Sequence, residues 1–330
     1  MKTCVLALTA EGKQLAGRIA ENLEECTLFS AEMKTADALS FLWKRYDGII
    51  CVMAAGIVVR SIAPLLADKT IDPCVVVVDQ KGDFAISLLS GHLGGGNSLT
   101  EQVAAITGGR AVITTASDVM GRTALDLWAK RHNLHVPDRK KLTETSARLV
   151  NGSTLTVYSH LPLTSLPADF ARSLDPDLAD IVITHNKHMT SNSLCCIPET
   201  LFLGVGCNRD TRQADIELSF TELCRMHNLD ALAFAGMASI DLKSDERGIL
   251  QFSEKHGVET FFYTRDELNG VKDVSYSPAV MKAVGAQGVA EPAALLAARA
   301  DGSEAELIVA KMKWKDVTLA VAERKKSAWD

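Results

Sequence analysis

The chain has 330 residues, a formal charge of −6 and a hydrophobic content of 47%. That is enough to bury two or three cores without disulfide staples. The acidic balance, with no basic stretch interleaved with aromatics, argues against nucleic acid as a partner but leaves room for an anionic small molecule bound by a local cluster of cations.

The apolar run Cys4–Leu8 is followed at once by Glu11, Lys13 and Arg18. It is too short for a signal segment or a membrane span, so it reads as the first strand of a cytoplasmic protein. An amphipathic helix is expected over Gly12–Leu23, a short strand over Thr27–Phe29 and a helix over Ala36–Tyr46 with Leu39, Leu42 and Trp43 inward. Ile49–Val52 is continuously apolar, the mark of a strand buried on both faces. Gly56–Arg60 opens another strand-to-helix crossing, and the helix runs through Ile62 before Pro64. Strands are expected at Val75–Val78 and Ala85–Leu89 around the Lys81-Gly82 turn, then a helix over Ser98–Thr107, a strand over Ala111–Thr114 and a helix over Thr123–Arg131.

Between Leu134 and Pro198 the pattern weakens. A helix at Leu142–Val150 and strands at Leu155–Tyr158 and Ile181–Thr184 stand among Pro162, Pro167, Pro176 and Pro198. A third unit begins with the strand Leu201–Cys207 and its glycine turn, continues with a helix over Ile216–Met226, and closes on a hairpin, Leu307–Met312 with Val317–Val321. The alternation predicts an α/β protein: two three-layer α/β/α lobes with mainly parallel or mixed sheets and a small middle α/β domain. The expected boundaries are 1–133, 134–198 and 199–330.

The strongest local signal is Ser90-Gly91-His92-Leu93-Gly94-Gly95-Gly96-Asn97, set between a strand and a helix. Its glycines suggest a backbone N–H cradle for an oxyanion or a carboxylate. A nucleotide loop is not expected, because no Lys-Ser/Thr follows the glycines. His92 is a candidate general base, and Glu101 is a candidate for orienting it. Arg60 and Arg122 lie just past strand ends and are candidate carboxylate clamps. The eight cysteines form no C-x-x-C and read as reduced, core-filling thiols. His185 and His188 look like a metal-ligand pair that lacks a third ligand, so no metal site is expected. Lys311, Lys313 and Lys315 alternate along one face of the penultimate strand.

At these residues the chain resembles the cobalt-precorrin-5A hydrolase (CbiG-type) family of anaerobic cobalamin biosynthesis. The resemblance is carried by the stretch from GIVVRSIAPLL through SGHLGGGNSLTEQVA and by ITTASD in the first lobe. In the third unit it is carried by GVGCNRDT, VAEPAALLAA, LIVAK and TLAVA. Departures are small: Gly96 stands where alanine is as frequent, Gly288 where serine is expected and Asn208 where a basic residue is expected. The resemblance implies hydrolysis of the ring δ-lactone of a cobalt corrinoid, release of acetaldehyde and formation of cobalt-precorrin-5B. It also implies a cobalt carried by the substrate, with no cofactor of the protein's own.

On this reading His92 is the base, with Glu101 in support. Substrate carboxylates or the oxyanion meet Gly56, Arg60, Ser90, Gly91, Gly94, Gly95, Gly96, Asn97 and Arg122, and Gly206, Glu291 and Lys311 in the third unit. The expected partner is a carboxylate-rich corrinoid, with neighbouring pathway enzymes and a second copy of the chain left open, and no nucleic acid or membrane. Two other readings remain: a tetrapyrrole-binding or channelling protein without activity, and a nucleotide- or phosphate-binding α/β enzyme.

Overall fold

The computed structural model describes residues 1–30, 33–68, 71–92, 94–163, 165–187 and 192–325. Leu93 of the glycine loop and His188 of the histidine pair lie outside the described residues.

The first part alternates strands and helices: β1 (Thr3–Ala7), α1 (Ala10–Asn22), β2 (Cys26–Leu28), α2 (Thr35–Trp43), β3 (Gly48–Val52), α3 (Ala55–Ile62), β4 (Cys74–Val78), β5 (Phe84–Leu89), α4 (Gly96–Thr107), β6 (Arg110–Val112), α5 (Ala116–Val119) and α6 (Leu125–Arg131). The Thr9 hydroxyl starts α1 by accepting the Gly12 N–H at 3.1 Å, satisfying one of the donors a helix leaves open at its first turn. All five residues of β3 and of β4 are buried, as continuous apolar runs require. Leu15, Ile19, Leu99 and Val103 of α1 and α4 cover one face of the sheet, and Leu39, Leu42, Val58 and Ile62 of α2 and α3 cover the other.

The sheet order is β2-β1-β3-β4-β5-β6. β1 to β4 are parallel; β5 pairs antiparallel to β4 and parallel to β6. Thus β5 and β6 end at the edge where β1, β3 and β4 begin. This reversal determines the position of the glycine loop.

The weakly patterned middle contains a five-stranded sheet. Its elements are β7 (Leu134–His135), α7 (Arg139–Val150), β8 (Leu155–Ser159), β9 (Phe170–Arg172), β10 (Ile181–Ile183) and β11 (Leu194–Pro198), in the order β7-β11-β10-β8-β9. β7 and β9 have two and three residues, too few for a period of two to show in sequence.

The last part comprises β12 (Leu201–Cys207), α8 (Gln213–Met226), β13 (Phe234–Ile240), α9 (Arg247–His256), β14 (Glu259–Tyr263), α10 (Arg265–Asn269), α11 (Pro278–Val284), α12 (Ala290–Ala298), β15 (Ala305–Lys313) and β16 (Val317–Arg324). Its sheet runs β14-β13-β12-β16-β15, with β12 to β14 parallel, β16 antiparallel to β12 and β15 antiparallel to β16. Ile216, Phe220 and Phe252 of α8 and α9 pack on one face, and Ala293, Ala294 and Ala297 of α12 on the other. The expected α/β/α layering is thus present in both outer parts. One compact unit comprises Met1–Trp128 with Leu149–Asn151; the other holds the remaining residues.

All eight cysteines are free. Burial pushes the Cys4 thiol up to about 12 and, despite an opposing backbone hydrogen bond, Cys74 up to about 11. Both are core-filling groups without thiolate character at neutral pH.

Two glycines test the packing. A Cβ on Gly204 of β12 would lie 1.8 Å from the Ala290 carbonyl oxygen, so α12 sits directly on the strand backbone. A Cβ on Gly17, within α1, would meet nothing within 4 Å. Gly204→Ala is therefore expected to abolish cooperative folding, whereas Gly17→Ala is expected to raise stability by about 0.5–1 kcal/mol through helix propensity. Urea unfolding of the two variants checks both signs.

Candidate functional site

The parallel pair β5 and β6 brings two loops to one edge of the first sheet. The chain leaves Leu89 through Ser90, which has a left-handed φ of 51°, and enters α4 through Gly95, with φ 79°. The loop closes on itself: the N–H of Gly95 donates to His92 O at 3.0 Å, that of Gly96 to Ser90 O at 3.1 Å and that of Asn97 to Gly91 O at 2.9 Å. A Cβ on Gly91 would lie 2.5 Å from Asn97 Oδ1, and one on Gly94 would lie 2.6 Å from the Ser90 Cβ. The glycines are thus required for the chain to turn this tightly.

This corrects the expected cradle at Gly95, Gly96 and Asn97. Their N–H groups, which a helix start normally offers to an anion, are occupied by carbonyls at the end of β5 and in its loop. Ser90 Oγ likewise donates to Asp72 O at 3.1 Å.

The side chain of Asn97 links the two loops. Its Oδ1 accepts from Ser87 Oγ at 2.7 Å, and its Nδ2 donates to Thr115 Oγ1 at 3.0 Å and to Asp118 Oδ2 at 2.6 Å. Thr115, Ser117 and Asp118 follow β6 and belong to the ITTASD stretch. His92 Nε2 lies 2.9 Å from Ser117 Oγ and 3.1 Å from Asp118 Oδ2. Its Nδ1 faces Asp126 Oδ1 at 3.9 Å. The ring and Asp126 are each 19% exposed, Asp118 is 40% exposed and Ser117 is buried.

The neighbours of Nε2 suit a group that gains and loses a proton. When unprotonated, Nε2 accepts from the Ser117 hydroxyl; when protonated, it donates to Asp118, which Asn97 already holds.

Among the described residues, the carboxylates facing the His92 ring are Asp118 and Asp126. This corrects the role expected of Glu101, which is an exposed residue of α4 more than a turn beyond the loop. Arg122 is half-buried in the loop after α5, its N–H donating to Ser117 O at 2.8 Å, on the same edge as His92. Gly56 and Arg60 belong to α3, which sets out from the opposite edge, where β3 ends; the exposed Arg60 guanidinium folds over Gly56. The antiparallel turn into β5 separates these two sets of candidates.

Sequence reasoning missed Ser117, Asp118 and Asp126. Asp118 stood in a stretch already singled out, and its place just past β6 was a usable signal.

In the last part of the chain, a cleft of about 390 Å³ is lined by Gly206, Asn208, Glu291, Lys311, Lys313 and Lys315, among others. Asn208 Nδ2 donates to Asp316 Oδ1 at 2.8 Å, fixing the β12 turn to the hairpin. Glu291, expected to bind substrate, instead acts within the protein. The N–H of Ser275 donates to its Oε2 at 2.5 Å, and Ser275 Oγ and the Lys311 N–H donate to its Oε1 at 3.1 and 2.8 Å. With both oxygens engaged, it braces the wall on which the Lys311 side chain is mounted.

A histidine at the edge of an α/β sheet and a lysine-lined cleft on another describe a protein that handles an anionic small molecule. The comparisons are more specific. Residues 37–118 match the Cobalamin synthesis G N-terminal family model, 123–198 the Cobalamin biosynthesis central region and 201–322 the Cobalamin synthesis G C-terminus. The chain is 35% identical to the cobalt-precorrin-5A hydrolase of Priestia megaterium, over 92% of this chain and 84% of that one. It is 29% identical to the cobalt-precorrin-5A hydrolase of Salmonella typhimurium, over 96% of each. A solved cobalamin biosynthesis protein G homolog from Sulfolobus solfataricus is 19% identical, with a TM-score of 0.42 over 98% of this chain and 97% of that one. The chain belongs to the cobalamin synthesis G (CbiG) family. No helix among the described residues is long and apolar enough to cross a membrane.

The Asn97 linkage predicts that Asn97→Ala lowers stability by about 1–3 kcal/mol, because partners in both loops lose a hydrogen bond. Gly206→Ala is expected to remain within about 0.5 kcal/mol of the parent, since its Cβ would make only ordinary contacts of 3.7 Å or more. Denaturant midpoints measure both.

Proposed function

We propose that this protein is a cobalt-precorrin-5A hydrolase, opening the ring δ-lactone of its corrinoid substrate and releasing acetaldehyde to give cobalt-precorrin-5B. The observation that carries the reading is the similarity to the Priestia megaterium hydrolase over 92% of this chain. The His92 group supplies chemistry that lactone opening needs.

In the proposed step, the His92 imidazole takes a proton from the water that attacks the lactone carbonyl, with Asp118 beside Nε2 and Asp126 beside Nδ1. Arg122, on the same sheet edge, is the proposed partner for the developing oxyanion or a nearby substrate carboxylate. Cleavage of the carbon–carbon bond draws on the conjugated macrocycle and cobalt of the substrate, so the reading assigns the reaction no resident cofactor. Lys311, Lys313 and Lys315, which line the cleft, suit the carboxylate side chains of a corrinoid.

The three family-model spans suggest a working division close to 1–133, 134–198 and 199–330. A cytoplasmic location is proposed from the pathway in which the relatives act.

The test is a mass-spectrometric assay of acetaldehyde on purified cobalt-precorrin-5A. His92→Ala is expected to reduce release by about a hundredfold or more while corrinoid binding survives. Near-parental turnover would remove His92 from the mechanism. Binding by the parent protein without acetaldehyde formation would favour a channelling role. Thermal stabilisation by nucleotides, but not by corrinoids, would favour the phosphate-binding reading. Lys311→Ala is expected to raise KM with little change in kcat, as loss of a carboxylate contact that leaves the reacting centre untouched.

A further inference from the structure

A second group of ionisable side chains lies apart from those assigned to the reaction. His160 follows β8 directly and His185 lies two residues past β10. These two strands are parallel neighbours with Ile183 opposite Ser159, so their following loops leave side by side. Glu323 is near the end of β16. His160 Nε2 and His185 Nδ1 both lie 2.9 Å from the same oxygen, Glu323 Oε1, and the two rings meet edge to face at 4.3 Å. The Glu323 side chain is 5% exposed, that of His185 12% and that of His160 21%.

Burying three such groups is unfavourable unless they meet a charge or a full set of hydrogen bonds. The contacts close either with a second proton on His160 or with a cation in its place. His160 Nδ1 lies 3.2 Å from the Ile183 carbonyl oxygen, which only accepts, so this nitrogen carries the ring proton. In the neutral ring, Nε2 then presents a lone pair to Glu323 Oε1, which also has only lone pairs. His185 Nδ1–H satisfies one direction of that oxygen. A cation between His160 Nε2, His185 Nδ1 and the carboxylate would resolve the opposition, with His185 Nδ1 giving up its proton. The backbone carbonyl behind His160 is the kind of outer partner that orients a metal-binding imidazole.

We infer that His160, His185 and Glu323 form a binding site for a divalent transition-metal ion, with zinc the best match to the donor set. The three donor atoms lie within 4.8 Å of one another. Small shifts bring each to the roughly 2.0–2.2 Å that Zn²⁺ takes from imidazole nitrogen or carboxylate oxygen, leaving a fourth position for water or another ligand. Two imidazoles and one carboxylate suit Zn²⁺, Co²⁺ or Fe²⁺ better than the oxygen-rich shells of Ca²⁺ or Mg²⁺. Lys325 Nζ stands 3.9 Å from the other oxygen, Oε2, leaving Oε1 to the site.

The sequence pair His185 and His188 had suggested a ligand set without a third member. The structure supplies His185 with partners from His160 and from Glu323, which is 138 residues further along the chain. Bound there, the metal would link the ends of β8 and β10 to β16. The proposal does not depend on the assigned reaction, whose proton-transfer group lies on another sheet.

The test uses the full chain, stripped with a chelator and dialysed against Zn²⁺ alone, with bound metal counted by elemental analysis. One Zn²⁺ per chain is expected, with affinity falling at least about tenfold in His160→Ala and in Glu323→Gln, and unchanged in His135→Ala, which alters a histidine outside the site. Absence of bound Zn²⁺, or equal affinity in the parent and both site variants, would overturn the proposal. A second measurement needs no variant. Co²⁺ added to the stripped parent protein is expected to shift the exchangeable ring N–H resonances of His160 and His185 outside the diamagnetic range, and unshifted resonances would also overturn it.

Discussion

The candidate active site depends on one carboxamide. Asn97 stands at the start of α4, where its oxygen is held by Ser87 of β5 and its nitrogen holds Thr115 and Asp118 beyond β6. Two loops separated by α4 and β6 are thereby fixed across one edge of a sheet. His92 is presented from the first loop, and Ser117 and Asp118 from the second. Because Asp118 already accepts from Asn97, its position does not depend on the protonation of His92. Such preorganisation lets a carboxylate stabilise an imidazolium without moving to meet it.

The glycines belong to the same constraint. Once β5 reverses direction, the chain must leave it and start α4 within a few residues, and the carbonyls of Ser90 and Gly91 must find donors. The N–H groups of Gly96 and Asn97 supply them. The N–H groups used in this way are no longer free donors for a ligand. In the last part of the chain, Glu291 plays a comparable part. Its two oxygens organise the Ser275 segment and β15, while the lysines beside it remain the groups suited to anions.

The long alternating stretches were legible because buried strands such as Ile49–Val52 and stripes such as Leu15 and Ile19 express their environment in local sequence. Gly91–Asn97 was legible as a special place, but its purpose was not. Whether a backbone N–H faces a ligand or a carbonyl depends on the direction of β5, and that is a property of pairing between strands. Glu101 is near His92 in sequence, whereas Asp118 and Asp126 are near it in space. In the middle sheet β8 and β10 were legible, whereas β7 and β9 are too short to show a period. The His160–His185–Glu323 group escaped because its ligands come from three separate strands or the loops after them.

In the proposed reaction His92 is the proton acceptor, and Asp118 is the carboxylate held against it. Single-turnover acetaldehyde release by Asp118→Asn tests this most directly, because the substitution preserves shape and removes the charge. The predicted result is a rate lowered about ten- to a thousandfold with substrate binding unchanged. A rate equal to that of the parent protein would contradict the account.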